Sequence, residues 1–272
     1  MRSPRSYLRR LAYEPPFRLL VKGVFAMLPC SVERRARWDL SERSHYLLGL
    51  LFAAREAKLQ QLQEFSAIEF GVAGGRGLIA LQNEAEAVER ATGVSVRVFG
   101  FDAGPSGLPS FGGDYRDHPD MFLPGDYPMD VAKLREKLTP RTTLILGEIR
   151  QTIENFRSDH APSPLGFVSI DCDLYSSTVA ALRLFDLCPK LMHVAMYFDD
   201  VQNQLCHQWA GELRAIAEFN DKHPNLKIDR WRGLRIGRPF PEKWELNGMF
   251  ICHDLDAISK FQLNRQNVHL PL

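Results

Sequence analysis

Three acidic residues stand where a hard metal ion could be held. Asp171 follows the apolar run Leu165 to Ile170, and Asp199 with Asp200 follows His193 to Phe198. A short continuous apolar run bounded by polar residues reads as a buried parallel strand. Ligands of open α/β sheets sit outside the carboxyl ends of the strands. Asp171, Asp199 and Asp200 are therefore expected to converge at the ends of two strands. Carboxylate oxygens are the donors that a magnesium-type cation takes. Such a cation lowers the pKa of a bound hydroxyl and orients it, and a vicinal diol could complete its coordination. His207 and His193 are further candidates for proton transfer. Asp173 is expected to turn away from the metal and to cap the following helix.

The second chemical signal is Glu69-Phe70-Gly71-Val72-Ala73-Gly74-Gly75-Arg76-Gly77. It lies between an apolar strand and a helical pattern, where glycines permit a tight turn and close backbone approach to a ligand. The dinucleotide fingerprint G-x-G-x-x-G is broken at Ala73, which disfavours a nicotinamide dehydrogenase. The remaining pattern, E-x-G-x-x-x-G, is that of an S-adenosylmethionine-binding turn. Asp102 ends the next strand, where a carboxylate can accept hydrogen bonds from both ribose hydroxyls.

These residues need a frame, and the β-α alternation supplies one. Strands are expected over 65–70, 94–101, 142–146, 165–170 and 193–198, with two closing strands at 226–231 and 249–253. Helices are expected over 41–63 with Ser41 as a cap, and over 78–92 with Gly93 as its C-cap. Others are expected over 131–138, 149–156, 177–187 and 204–223. Residues 103–130 form a loop long enough to be functional. The reading is a doubly wound, mostly parallel seven-stranded α/β sheet with an N-terminal helical appendage. Residues 1–40 are the appendage and 41–272 the main domain.

Composition narrows the class. The chain has 272 residues and a formal net charge of +1, which gives no general attraction to nucleic acid. Its five cysteines, Cys30, Cys172, Cys188, Cys206 and Cys252, form no CxxC pair. That indicates neither a disulfide framework nor a zinc site, and a cytoplasmic location is the expectation. No run reaches the roughly 20 apolar residues that span a bilayer. The N-terminus carries Arg2, Arg5, Arg9 and Arg10 before an amphipathic stretch at 17–28. A helix lying on a membrane surface is one reading of it. Packing on the domain or on a twin subunit is the favoured one. The arginines of the loop 232–243, with Arg230 before it, suit a phosphate or carboxylate on a substrate, or a solvated surface equally. Trp209, Trp231 and Trp244 read as core or rim packing, and Tyr175 as packing.

Four segments resemble one family, the magnesium-dependent macrocin O-methyltransferases that modify sugars of antibiotics: EFGVAGGRG at 69–77, FDAGPSGLPS at 101–110, LGEIRQTI at 146–153, and VSIDCDLYSSTVAALRLF with YFDD at 168–185 and 197–200. The resemblance covers roughly residues 65–225. It implies a class I methyltransferase fold with S-adenosylmethionine and Mg²⁺ as cofactors. It implies that Glu69, Gly71 and Gly75 line the methionine end of the cofactor. Asp102 would hold the ribose, and Gly147 with Ile149 would lie near the adenine. Asp171, Asp199 and Asp200 would be metal ligands, with Asp171 also accepting the proton. The interval of 28 residues between Asp171 and Asp199 is similar to that of catechol-type enzymes, whose lysine three residues after the first aspartate is here Leu174. The family's Gly-Gly before the second acidic strand is absent, Val201 replaces an aromatic, and Ala103-Gly104 replaces Thr/Ser-Phe. These departures touch the substrate side. The expected function is methyl transfer to a hydroxyl of a sugar or polyol, in a natural product or a surface glycan, by a homo-oligomer. Two alternatives remain: a metal-free methyltransferase with another nucleophile, and a non-catalytic binding or scaffold protein on the same fold.

Overall fold

Seven strands form one sheet in the order β3-β2-β1-β4-β5-β7-β6. The computed structural model describes residues 17–262 except 111, 204, 237 and 240–242. Arg2, Arg5, Arg9 and Arg10 lie outside the described residues. The strands are β1 (Glu64–Phe70), β2 (Ser95–Asp102), β3 (Thr142–Leu146), β4 (Leu165–Ile170), β5 (Lys190–Phe198), β6 (Leu226–Arg230) and β7 (Met249–Asp254). The first five run parallel, β7 pairs antiparallel with β5, and β6 antiparallel with β7. The sheet is thus doubly wound and mostly parallel. β1 to β3 build outward in one direction and β4 onward in the other, so the switch point lies between β1 and β4.

Alternation along each strand feeds two cores. Ile68, Phe70, Phe99, Phe101, Val168, Ile170, Met196 and Phe198 point to one face. Phe65, Ala67, Val96, Val98, Phe167, Ala195 and Tyr197 point to the other. Every residue of β4 is buried, as a central strand covered on both faces requires.

The helices are α1 (Phe17–Met27), α2 (Val32–Arg37), α3 (Ser44–Leu59), α4 (Arg76–Thr92), α5 (Val131–Arg135), α6 (Ile149–His160), α7 (Tyr175–Leu182), α8 (Leu184–Leu187), α9 (Gly211–Lys222) and α10 (Leu255–Lys260). α3 and α4 cover one face, with Tyr46, Leu47, Leu50, Leu78 and Leu81 in its core. α6, α7 and α9 cover the other, through Ile153, Phe156, Ala181 and Phe219. Gly93 ends α4 in the left-handed conformation, as expected.

Several helix boundaries differ from expectation, α5 ending at Arg135 and α6 running on to His160 among them. Ser41 does not cap α3: its Oγ donates to Glu84 Oε1 at 2.5 Å, tying the lead-in to α4. The stretch 177–187 is two short helices, broken at Arg183. The helix expected from Gln204 begins only at Gly211; Gln204 itself lies outside the described residues. Among the residues before Gly211, the 3₁₀ turn Asp200–Gln202 spends the chain on shaping the strand end instead.

Candidate active site

All five parallel strands end at one cavity of about 400 Å³. Its wall takes Gly71 from the end of β1, Asp102 from β2, Gly147 to Ile149 after β3, Asp171 to Asp173 after β4, and Asp199 with Asp200 after β5. The volume falls in the range of roughly 300–1,000 Å³ usual for small-molecule sites. Among the described residues, no Lys, Arg or His lines it.

The glycine turn is forced by close approach. Gly71 has φ +83°, and a Cβ there would collide with the Asp171 carbonyl. Only glycine lets the ends of β1 and β4 come together at the switch point. Ala73 also adopts positive φ, +46°. Its N–H donates to Asp102 Oδ2 at 2.8 Å, while Gly104 N–H donates to Oδ1 at 2.6 Å. Two backbone donors thus fix the Asp102 carboxylate on the cavity wall, and each oxygen keeps a lone pair for a ligand. Burial raises its pKa, opposed by those same hydrogen bonds. Phe101, Leu108, Phe122 and Ile149 give the adjoining wall its apolar character.

The opposite wall is acidic. Burial and then the charges of Asp199 and Asp200 raise the pKa of Asp171 well above the carboxylate range. Asp200 is raised by burial and Asp199. Tyr197 donates to Asp199 Oδ1 at 2.5 Å, and Asn203 Nδ2 donates to Asp200 Oδ1 at 2.5 Å. Beneath them Glu212, 2% exposed, accepts from the Asp200 N–H at 2.9 Å. Crowded carboxylates without a lining cation hold either protons or a bound cation. As oriented here, no three His, Cys, Asp or Glu side chains among the described residues form a group that could hold a metal ion. The donor chemistry fits a hard cation; the present side-chain orientations serve Tyr197, Asn203 and the Asp173 amide instead.

Asp173 corrects an expectation. It does not cap α7, whose N-cap residue, Leu174, makes no side-chain bond. With φ +62° it faces the cavity, where burial, Asp200 and Asp199 raise its pKa. The cap comes instead from the long loop: Asp117 Oδ1 accepts the Ser176 N–H at 2.7 Å. Tyr175 is tied to that loop too, under the Arg116 guanidinium at 4.2 Å and bonded to both Arg116 and Glu218. Residues 103–130 are therefore a built cover. Leu108 and Gly125 are cross-bonded to Asp126 and Leu108, and the loop sends Asp126 and Tyr127 to the cavity. Tyr127 is held at φ +60°, an uncommon conformation for a bulky residue.

Of the residues expected from sequence, Gly71, Asp102, Gly147, Ile149, Asp171, Asp199 and Asp200 line the cavity, and Glu69, Gly75 and His207 do not. Glu69 is buried under the turn, accepting from Tyr46 at 2.7 Å, with Oε2 unpartnered. A Cβ at Gly77 would strike it, so Glu69 fills the space that glycine leaves. Gly75 begins α4 in the left-handed conformation against Leu134. His207 is exposed, beside His118 at 5.1 Å, and accepts from the Trp209 N–H at 3.3 Å. His193 lies away from the cavity, within β5, bonded to Glu56 at 2.9 Å. Sequence reasoning missed Glu148, Asp126, Tyr127 and Asn203. Only Asp126 and Glu148 carried a signal, as acids in segments already singled out.

The fold is similar to that of CalS11, described as a calicheamicin methyltransferase, at 20% identity over 93% of this chain and 94% of that one, with a TM-score of 0.50. An O-methyltransferase from Bacillus cereus, solved with SAH, matches at 17% identity over 86% of each chain, with a TM-score of 0.45. No family model and no curated relative matches the chain. The likeness to CalS11 shows a shared Rossmann-like methyltransferase fold.

Proposed function

We propose that this protein is an S-adenosylmethionine-dependent O-methyltransferase that uses a magnesium-class cation and acts on a hydroxyl of a sugar or polyol. The observation that carries this reading is a single cavity at the switch point with two unlike walls. On one side stand the glycine turn, the backbone-fixed Asp102 and an apolar lining. On the other stand Asp171, Asp173, Asp199 and Asp200. CalS11 is described as a TDP-rhamnose 3'-O-methyltransferase, which agrees with the sugar class.

When bound, S-adenosylmethionine supplies an electrophilic methyl group, and the divalent cation supplies a Lewis acid for the acceptor hydroxyl. The chain does the rest. Gly71 and Ala73 would bring backbone within reach of the cofactor, Asp102 would accept from its ribose diol, and Gly147 with Ile149 would lie beside its base. Asp171, Asp199 and Asp200 would hold the cation. Asp171 is the group placed to take the acceptor's proton, since no histidine among the described residues lines the cavity. The loop 103–130 covers the site and limits water, and holding two reactants in line supplies much of the acceleration.

Calorimetric titration with S-adenosylmethionine, with and without Mg²⁺, tests the cofactor site. Micromolar-range binding is expected, and its loss in Asp102→Ala. Absence of heat and of thermal shift would replace this reading with a non-catalytic binding role. One second reading is a metal-free methyltransferase, since among the described residues the acids are oriented toward Tyr197, Asn203 and the Asp173 amide rather than toward one point. If so, the double variant Asp199→Asn/Asp200→Asn keeps its rate on glycoside acceptors; the present proposal expects at least about a hundredfold loss.

A further inference from the structure

Two features remain outside the site: the amphipathic stretch 17–28 and the arginine loop after β6. The structure brings them to one surface. α1 presents Leu19, Leu20, Val24 and Met27 to solvent on one side, with Met27 87% exposed, and Leu28 continues the patch. Its other side is anchored: Phe25 stacks on Trp38 with ring centroids 4.3 Å apart. The segment just before Trp38 is gripped by the arginine loop, where Arg238 Nη2 donates to the Ala36 carbonyl at 2.8 Å. Lys243 pairs with Asp39 at 2.6 Å. The same loop holds Ile236, 84% exposed, on a turn closed by Ile236 N–H to the Gly233 carbonyl at 2.9 Å. Arg232 is exposed on its rim, paired with Asp229 at 2.9 Å, and Arg235 is exposed beside it.

Charge decides what fits this surface. Residues 1–22 carry Arg2, Arg5, Arg9, Arg10, Arg18 and Lys22 against Glu14 alone, and residues 229–238 carry four arginines against Asp229, which pairs with Arg232. Yet the whole chain is nearly neutral, at +1. In the sequence, positive charge is thus concentrated beside the residues of α1 that are left in water and in the loop tied to the segment after it. We propose that α1 and the loop 232–238 form a docking surface for a bilayer bearing anionic headgroups. The apolar face of α1 enters the acyl boundary while the flanking cations meet lipid phosphates. An 11-residue helix spans only about 16 Å, so it lies in the interface rather than crossing it. Among the described residues no helix is long and apolar enough to cross a membrane. The ties through Ala36 and Asp39 couple the surface to the main domain, so docking also orients the cavity. This inference is independent of the methyltransferase reading.

Co-sedimentation of the full chain with vesicles tests it, using phosphatidylcholine alone and phosphatidylcholine mixed with phosphatidylglycerol. Binding to the anionic vesicles is expected at least about tenfold stronger than to neutral ones, and to fall steeply between about 0.1 and 0.5 M salt. Leu20→Asp/Met27→Asp should weaken it about tenfold or more, and Arg232→Glu/Arg235→Glu several-fold. Far-UV circular dichroism and thermal unfolding of each variant must match the wild type, since the substituted side chains are solvent-facing or rim residues. Equal binding to both vesicle types, no binding, or undiminished binding by the aspartate variant overturns the proposal. So does a dimer, seen by light scattering, that the aspartate variant dissociates without any vesicle binding: a second copy then covers the face.

Discussion

At the scale of single residues, the site rests on a few side chains whose placement leaves little freedom. Gly71→Ala is expected to unfold more easily by about 1–3 kcal/mol from its positive φ alone, with the collision against the Asp171 carbonyl adding to that. Gly74→Ala, whose added Cβ meets nothing within 4 Å, should leave the melting temperature near wild type. Differential scanning calorimetry on both variants separates turn geometry from a general intolerance. Glu69 makes a pH prediction. Burial raises its pKa from 4.5 to about 7, opposed by the Tyr46 bond and Arg43. The folded chain therefore holds a proton that the unfolded chain has released. That contribution is fully present below pH 4.5 and is lost as pH rises through 7. Urea unfolding of wild type against Glu69→Gln should show the wild type losing ground across that window; a constant difference would refute a buried, protonated Glu69. His207, despite its chemistry, sits outside the cavity, so His207→Ala should keep its turnover within about twofold while Asp171→Asn loses most of it.

At the scale of elements, the loop 103–130 carries as much of the site as the strands do. It is held by bonds that reach across the fold: Asp117 to the start of α7, and Arg116 to Tyr175 and Glu218. Asp117→Ala should cost about 1 kcal/mol, the usual worth of a helix cap. That lowers the melting temperature by about 2–4 °C for a domain of this size and exposes the loop to limited proteolysis. Asp117→Asn, which keeps an acceptor, should recover most of the loss. The cap was unreadable in sequence because its donor and acceptor are 59 residues apart. Local rules assigned the capping role to Asp173, the nearest acid. The late start of α9 has the same origin: residues 200–203 are committed to the cavity wall by the Asn203 and Glu212 bonds to Asp200, and the helical pattern yields to them.

At the scale of the whole molecule, the fold places five strand ends at one edge and reverses the strand order between β1 and β4. That reversal opens the crevice in which Gly71, Asp102 and Asp171 meet. The number of strands, their order along the chain, the glycine turn and the acidic strand ends were all legible, because each depends on short-range pattern: apolar runs, glycine spacing and β-α alternation. The sequence also singled out the basic lead-in and the arginine loop, without relating them. What only the tertiary structure decided was which groups share a surface. It set Glu69 under the turn rather than on the cavity, sent His207 out to solvent, and turned Asp173 inward. It also joined α1 to the loop 232–243 through Trp38, Ala36 and Asp39. The physical reason is that side-chain direction and burial follow from contacts between residues far apart in the chain. Local periodicity fixes where a strand ends, but the neighbouring strands and helices decide which way its last carboxylate faces.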